Sequence, residues 1–333
     1  MIYWKYWQPL IVAAFIVMIG CGNIEQPKSV FNGFQKDEKV HLFAPGVIST
    51  GMNERDACLS PDGETFYFTI QPQRGISVIL LSTFKNGKWS QPQVAPFSGV
   101  YNDIEPVFHP DGKRLFFVSN RPNPEDSTRT DFDIWYVKKE SNGWSQPVNV
   151  GWPVNREGNE FYPSFTKNGD MYYCASYDDA VGGEDLYMAR ATNEGYGVVE
   201  NLGDSVNTKA AEYNAFVHPD GDYIVYTSHG WGEGEGGGDL FVAFKDENGQ
   251  WKQAINAGDV INSSSFEFCP SLSPDGTVLF FTSYRRREYL PQNGSFTYSD
   301  LQKIHNSPGS GRNGDIYYVS EDVIRNLNVN KGK

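Results

Sequence analysis

The chain has 333 residues, with 41 acidic against 28 basic side chains and a formal charge of −13. So acidic a balance argues against nucleic acid or an anionic membrane surface as partner, because both need a basic patch. Aromatics at 15%, 34 glycines and 19 prolines, with few apolar patterns of helical period, predict an all-β chain of short strands and tight turns.

Residues 1–20 differ from the rest. One lysine precedes PLIVAAFIVMIG (9–20), an apolar run too short for the ~20 residues of a membrane span and of the size expected for a signal-peptide core. Met18-Ile19-Gly20-Cys21 resembles a bacterial lipobox. That resemblance implies cleavage before Cys21 and a diacylglycerol on its thiol. The protein would then be a lipoprotein held to a membrane of the cell envelope, at the outer membrane, periplasmic or surface-exposed. An uncleaved anchor and a plain secretory signal are the alternatives. Residues 21–37 are polar and irregular and are expected to form a flexible tether.

From 38 to 320 the chain repeats itself. The glycines at Gly63, Gly112, Gly169, Gly221 and Gly276 mark five units of 49 to 57 residues. A strand precedes each turn (DACLS, EPVFH, YPSFT, NAFVH, CPSLS) and a second follows it (ETFYFTI, KRLFFVS, DMYYCAS, DYIVYTS, TVLFFTS). A third strand, opened by Asp133, Asp185, Asp239 or Asp315 in four units, leads to a Gly-aromatic hairpin and a fourth strand. Four antiparallel strands per unit make a β-propeller, in which blades bury their faces against one another. The fifth unit runs out before its fourth strand, and VHLFAPGVIS (40–49) supplies one. Five blades closed by an N-terminal strand is therefore the predicted architecture, with six blades the less favoured alternative. Residues 321–333 are left as a C-terminal tail. Cys58, Cys174 and Cys269 cannot all pair within the chain, and buried thiols are expected, with a Cys58–Cys269 disulfide as the alternative.

The SPDG and HPDG turns, the S-N-R and S-Y-R strand ends and the G-G-E-D-L-Y and G-G-D-L-F strands resemble the WD40-like, TolB-like β-propeller repeat of Gram-negative envelope proteins. The resemblance covers residues 40–320. It implies an envelope propeller that binds a partner, and it specifies function weakly, because propellers host binding, scaffolding and catalysis alike.

Nine residues before each turn glycine stands an acid: Glu54, Asp103, Glu160, Glu212 and Glu267. This register places them at the start of the innermost strand, around one mouth of the channel. They are candidates for a cation site or for a glycoside-hydrolysing pair, in which crowding raises one pKa while the other group stays ionised. The structural alternative is that each accepts backbone N–H bonds and staples the ring. The Asp residues opening third strands, and Trp89, Trp144 and Trp251 on the outer hairpins, are read as structural. Repeats diverge at the end of the second strand, where Asn120, Arg121, Tyr177, His229, Tyr284 and Arg285 become ligand-binding candidates. Residues 285–314 form a long insertion there.

No H-x-x-H or H-E-x-x-H spacing is present, so no transition metal is expected, and His109 and His218 are read as turn residues. The Gly-rich stretch at 230–239 has at most affinity for a hard cation such as calcium. No other cofactor is expected. Two functional readings follow. One is a binding or scaffold module for a protein, peptide or glycan at the loop-rich face. The other is a carbohydrate-active enzyme, a hydrolase or lyase working through the carboxylates.

Overall fold

The structure is a computed structural model that describes residues 30–330, apart from 230, 232, 233, 235, 292 and 293. The leader, Cys21, most of the expected tether and part of the Gly-rich stretch therefore lie outside the described residues. Five antiparallel sheets are arranged as a propeller. Their inner strands are Glu54–Leu59, Asp103–Phe108, Glu160–Phe165, Glu212–Val217 and Glu267–Leu272, which open blades 1 to 5 in chain order. Each inner strand pairs with one neighbour only, so its other edge faces the central channel.

The turns that follow are alike because the chain demands a left-handed residue at one position. Each turn glycine has φ between 65° and 89° and donates its N–H to the residue three before it, at 2.7–2.9 Å. Only glycine takes that conformation without steric cost. In the third unit, where TKNG stands in for SPDG, Gly169 still bonds Thr166 at 2.9 Å.

Closure is made by His41–Leu42, which pairs antiparallel with Asp315–Ser320 in the register His41↔Tyr318 and Leu42↔Tyr317. Strands far apart in sequence thus complete blade 5. Five apolar clusters fill the spaces between adjacent blades. The hairpin tryptophans reach back onto the preceding blade. Trp89 lies edge-on to Phe43, Trp144 donates its Nε1–H to the Tyr67 hydroxyl at 3.3 Å, and Trp251 meets Tyr172 edge-on. Each such aromatic contact contributes about 0.5–1.5 kcal/mol beyond the area it buries.

Both ends of the described residues settle on the turn side. Val30 and Phe31, within the stretch expected as tether, lie against Gly63 and join the cluster between blades 5 and 1. The expected C-terminal tail contains a helix, Asp322–Asn330, whose Val323 and Ile324 are buried beside blade 4 residues. Its Arg325 bonds His218 at 2.9 Å and Asp222 at 3.1 Å. Cys58, Cys174 and Cys269 are free and buried, so the Cys58–Cys269 disulfide is not formed.

Candidate functional site

All five repeated acids are wholly buried. The loop that arrives from the previous blade supplies the donors. Glu54 accepts the Thr50 hydroxyl and the N–H groups of Gly51 (3.3 Å) and Met52 (3.2 Å). Glu212 accepts the Thr208 N–H (2.7 Å) and hydroxyl (2.8 Å), and Glu267 the Ser263 N–H (2.9 Å) and hydroxyl (2.6 Å). The serine that closes the second strand adds a bond to Asp103 from Ser119 (2.6 Å), to Glu212 from Ser228 (2.7 Å) and to Glu267 from Ser283 (2.5 Å). Glu160 takes the Arg156 N–H at 3.2 Å, while the neighbouring Tyr177 hydroxyl bonds Val154 O at 2.5 Å. Burial pushes Glu54 up to about 7 and Glu160 up to about 9.

The divergent strand ends serve the same acids. Arg121 is ion-paired to Asp103 (2.7 Å), bonds Phe97 O (3.2 Å) and lies over Phe117 and Trp135. Arg285 reaches Glu267 at 3.5 Å, bonds Ile261 O and lies over Phe281 and Tyr317. Asn120 accepts the N–H of Asn102 at 2.9 Å. In blade 3 the cation comes from the other side: Arg156 sits over the Tyr177 ring at 4.1 Å. His229 bonds the Tyr213 hydroxyl at 2.8 Å, and Tyr284 packs on Phe266 and Phe268. The geometry thus brings Arg121 to Asp103 and Arg285 to Glu267, and it leaves His229 and Tyr284 around Phe266. It does not bring the five acids together at an open mouth.

The channel is occupied by a different set. In every blade the inner strand carries a bulge two residues after the acid, and the residue there has a positive φ: Asp56 (64°), Glu105 (60°), Tyr162 (52°), Asn214 (50°) and Cys269 (53°). Non-glycine residues in this region cost on the order of 1–3 kcal/mol each and collect at functional sites. The bulge keeps acid and channel residue apart in register and lets five unlike side chains meet on the axis. Arg55 of blade 1 bonds Asp56 (2.8 Å), Glu105 of blade 2 (2.9 Å) and the Cys269 sulfur of blade 5 (3.3 Å). Glu105 also accepts the Tyr162 N–H (2.6 Å) and the Asn214 amide (3.2 Å), and its own N–H bonds Asp56 at 3.1 Å. The Tyr162 hydroxyl crosses to Pro270 O at 3.0 Å. Burial raises the Glu105 pKa, with Asp56 and Glu184 pushing the same way and Arg55 opposing them.

Below this knot, towards the turns, a cavity of about 450 Å³ opens. Inner-strand prolines Pro106, Pro163 and Pro270 line it, with Phe108, Phe165, Leu272 and the turn residues His109 and His218. A proline is tolerated there because the N–H it removes would face the channel rather than a partner strand. Among the described residues no group of three His, Cys, Asp or Glu side chains is placed to hold a metal ion, and no helix is long and apolar enough to cross a membrane.

A second repeated device escaped the reading of strand ends. Asn155, Asn207 and Asn262 each clamp the second residue of the third strand: Asn207 accepts the Leu186 N–H (2.8 Å) and donates to Leu186 O (3.1 Å) and Asn201 (2.8 Å). Asn149, Asn201 and Asn256 in turn bond the third-strand aspartates Asp133 (2.7 Å), Asp185 (2.7 Å) and Asp239 (2.9 Å). The signal is written three times as N-x-G-x-x-x-N, and Ser98 and Ser49 take over the clamp in blades 1 and 5.

No family model and no curated protein matches the chain. Among solved structures it is similar to TolB from Acinetobacter baumannii (17% identity, 71% of this chain and 49% of that one, TM-score 0.46), about half of whose length it spans. It is also similar to an α-L-arabinofuranosidase from Lactobacillus brevis (11%, 82% and 91%, 0.50). A third is the catalytic domain of an α-L-arabinofuranosidase from Coprinopsis cinerea (10%, 81% and 90%, 0.49). At such identities the likeness is one of fold; the five sheets themselves make this protein a five-bladed β-propeller.

Proposed function

We propose that the protein is a binding propeller of the cell envelope, lipid-anchored through Cys21, that takes a protein, peptide or glycan partner on its loop-rich face. One observation carries this reading: the loops of that face hold large apolar side chains out in solvent, while the acids beneath them are buried and hydrogen-bonded. Val100 (83% exposed) and Trp152 (78%) stand on loops between blades, and Leu290 (76%) and Tyr298 (77%) on the blade 5 insertion. These loops emerge together because strands one and three of each blade run opposite to strands two and four. Large apolar groups held out in solvent on one face are what an interaction surface presents. The position of Val30 supports the orientation. It lies on the turn side against Gly63, so a tether leaving there would turn the loop face away from the membrane.

Two measurements test it. Labelled palmitate should enter the full chain made in a Gram-negative host and be lost in Cys21→Ser; incorporation that survives the substitution removes the anchor. On glycan and peptide arrays, a ligand held by the wild type should be lost about tenfold by Trp152→Ala with Tyr298→Ala. Turnover of a polysaccharide that Glu160→Gln abolishes would replace the binding reading with the hydrolase.

A further inference from the structure

The turn-side cavity is separate from the loop face and has chemistry of its own. Its wall is short of donors. Pro106, Pro163 and Pro270 remove the N–H groups the channel edge would otherwise present, and Phe108, Phe165 and Leu272 add apolar surface. The hydroxyls of Ser164 and Ser271 are already spent on Ala215 O (2.8 Å) and Ala57 O (2.6 Å). Glu105, 4% exposed, is among the residues that line it.

Charge there balances only while Glu105 keeps its proton. Arg55 is the one guanidinium of the knot, and it faces two carboxylates, Asp56 and Glu105. Glu184 adds negative potential at Glu105. The other groups facing the knot, Tyr162, Asn214 and Cys269, bring no positive charge. At the rim, burial lowers the pKa of His109 and His218, and Lys167 is paired with Asp220 at 2.5 Å. A carboxylate has about four lone-pair positions. Glu105 uses three, for Arg55, Asn214 and Tyr162. A volume of about 450 Å³ is within the range of small-molecule sites.

We propose that this cavity is a binding site for a compact organic cation, a single ammonium or guanidinium on an apolar body, with the cation against Glu105 and the body against the prolines and phenylalanines. A cation can take the place of the Glu105 proton and keep the charge balanced, where a neutral or anionic ligand cannot, and the donor-poor wall selects the body. Because Glu105 holds a proton more readily than an ordinary carboxylate, binding displaces that proton, and affinity rises with pH until the ligand's own amine is neutralised.

The test titrates the full chain with three probes of nearly one shape: phenethylamine, 2-phenylethanol and 3-phenylpropionate. Calorimetry is expected to show the amine binding at least about tenfold more tightly than the alcohol and the acid, and more tightly at pH 9 than at pH 6. Glu105→Gln should remove the preference for the amine and its pH dependence. Should that variant fail to fold, the three-probe comparison on the wild type decides alone. Equal affinity for the three, or no binding of the amine at millimolar concentration, overturns the proposal. Neither result bears on the loop face, whose test uses Trp152 and Tyr298.

Discussion

The guanidinium of Arg55 leaves blade 1 and meets the carboxylate of Glu105 in blade 2, Nη2 to Oε1 at 2.9 Å, while its Nε holds Asp56 at 2.8 Å. One side chain therefore compensates two buried acids from different blades. Arg55→Leu should cost about 3–5 kcal/mol, because it strands charge in the channel rather than merely deleting a contact. Urea denaturation at pH 7 checks this. The double variant Arg55→Leu with Asp56→Asn should regain part of the loss. If the double is no more stable than the single, the pair is not what Arg55 serves.

The repeated acids give a pH prediction. Glu160 ionises near 4.5 when unfolded and near 9 when folded, raised by burial. The folded chain binds the extra proton in that interval, so stability from this group is full below the lower value and is lost as pH rises through the upper one. Glu54, raised to about 7, adds a fall of the same sign ending nearer neutrality. Glu160→Gln should flatten the alkaline limb and stabilise the protein at pH 9 by on the order of 1–3 kcal/mol relative to wild type. Melting temperatures at pH 5 and pH 9 measure it, and an unchanged difference between the two would mean that Glu160 is ionised throughout.

Asn207 is the clearest of the clamps. Asn207→Ala leaves the buried Leu186 N–H without its 2.8 Å partner and should cost about 2–3 kcal/mol. Asn207→Ser should recover some of this, since Ser98 performs the task for Ile79 at 3.0 Å in blade 1. Chemical denaturation of the two variants side by side tests the equivalence; serine no better than alanine would sink it.

Trp152 is 78% exposed and its ring meets the Arg156 guanidinium at 5.4 Å, so Trp152→Ala should cost no more than about 1 kcal/mol of stability while weakening whatever ligand the loop face holds. Thermal melting and the array measurement together separate the two effects. A large loss of stability would assign Trp152 to structure.

The fold was readable because one constraint repeats: a glycine that must be left-handed, followed by an apolar strand. Gly63, Gly112, Gly169, Gly221 and Gly276 carry it at near-regular spacing, and the ring could be counted from them. The acids nine residues earlier were readable as a ring too, though pattern alone leaves open whether Glu54 or Glu212 faces the channel or a loop. Strict alternation would put Glu54 and Asp56 on one face. The bulge breaks that alternation, and nothing in the local composition announces it, since Asp, Glu, Tyr, Asn and Cys share no property. Their unlikeness at one fixed register was the available signal. Arg121 and Arg285 were visible as divergent residues, but whether a long side chain reaches outward or folds back onto Asp103 or Glu267 depends on loops that the strand pattern does not describe.

The two-residue strand His41–Leu42 has a consequence for how the molecule is made. Its partner strand begins at Asp315, so the pairing is among the least local in the chain. Blades 1 to 4 are complete within contiguous sequence and can form as the polypeptide emerges, whereas blade 5 waits for both ends. Loop-closure entropy places such a pairing late in folding. Until then the ring stays open, its terminal sheet edges bare and prone to pair with another chain. Residues Asp315–Ser320 thus decide whether His41 and Leu42 ever find a place.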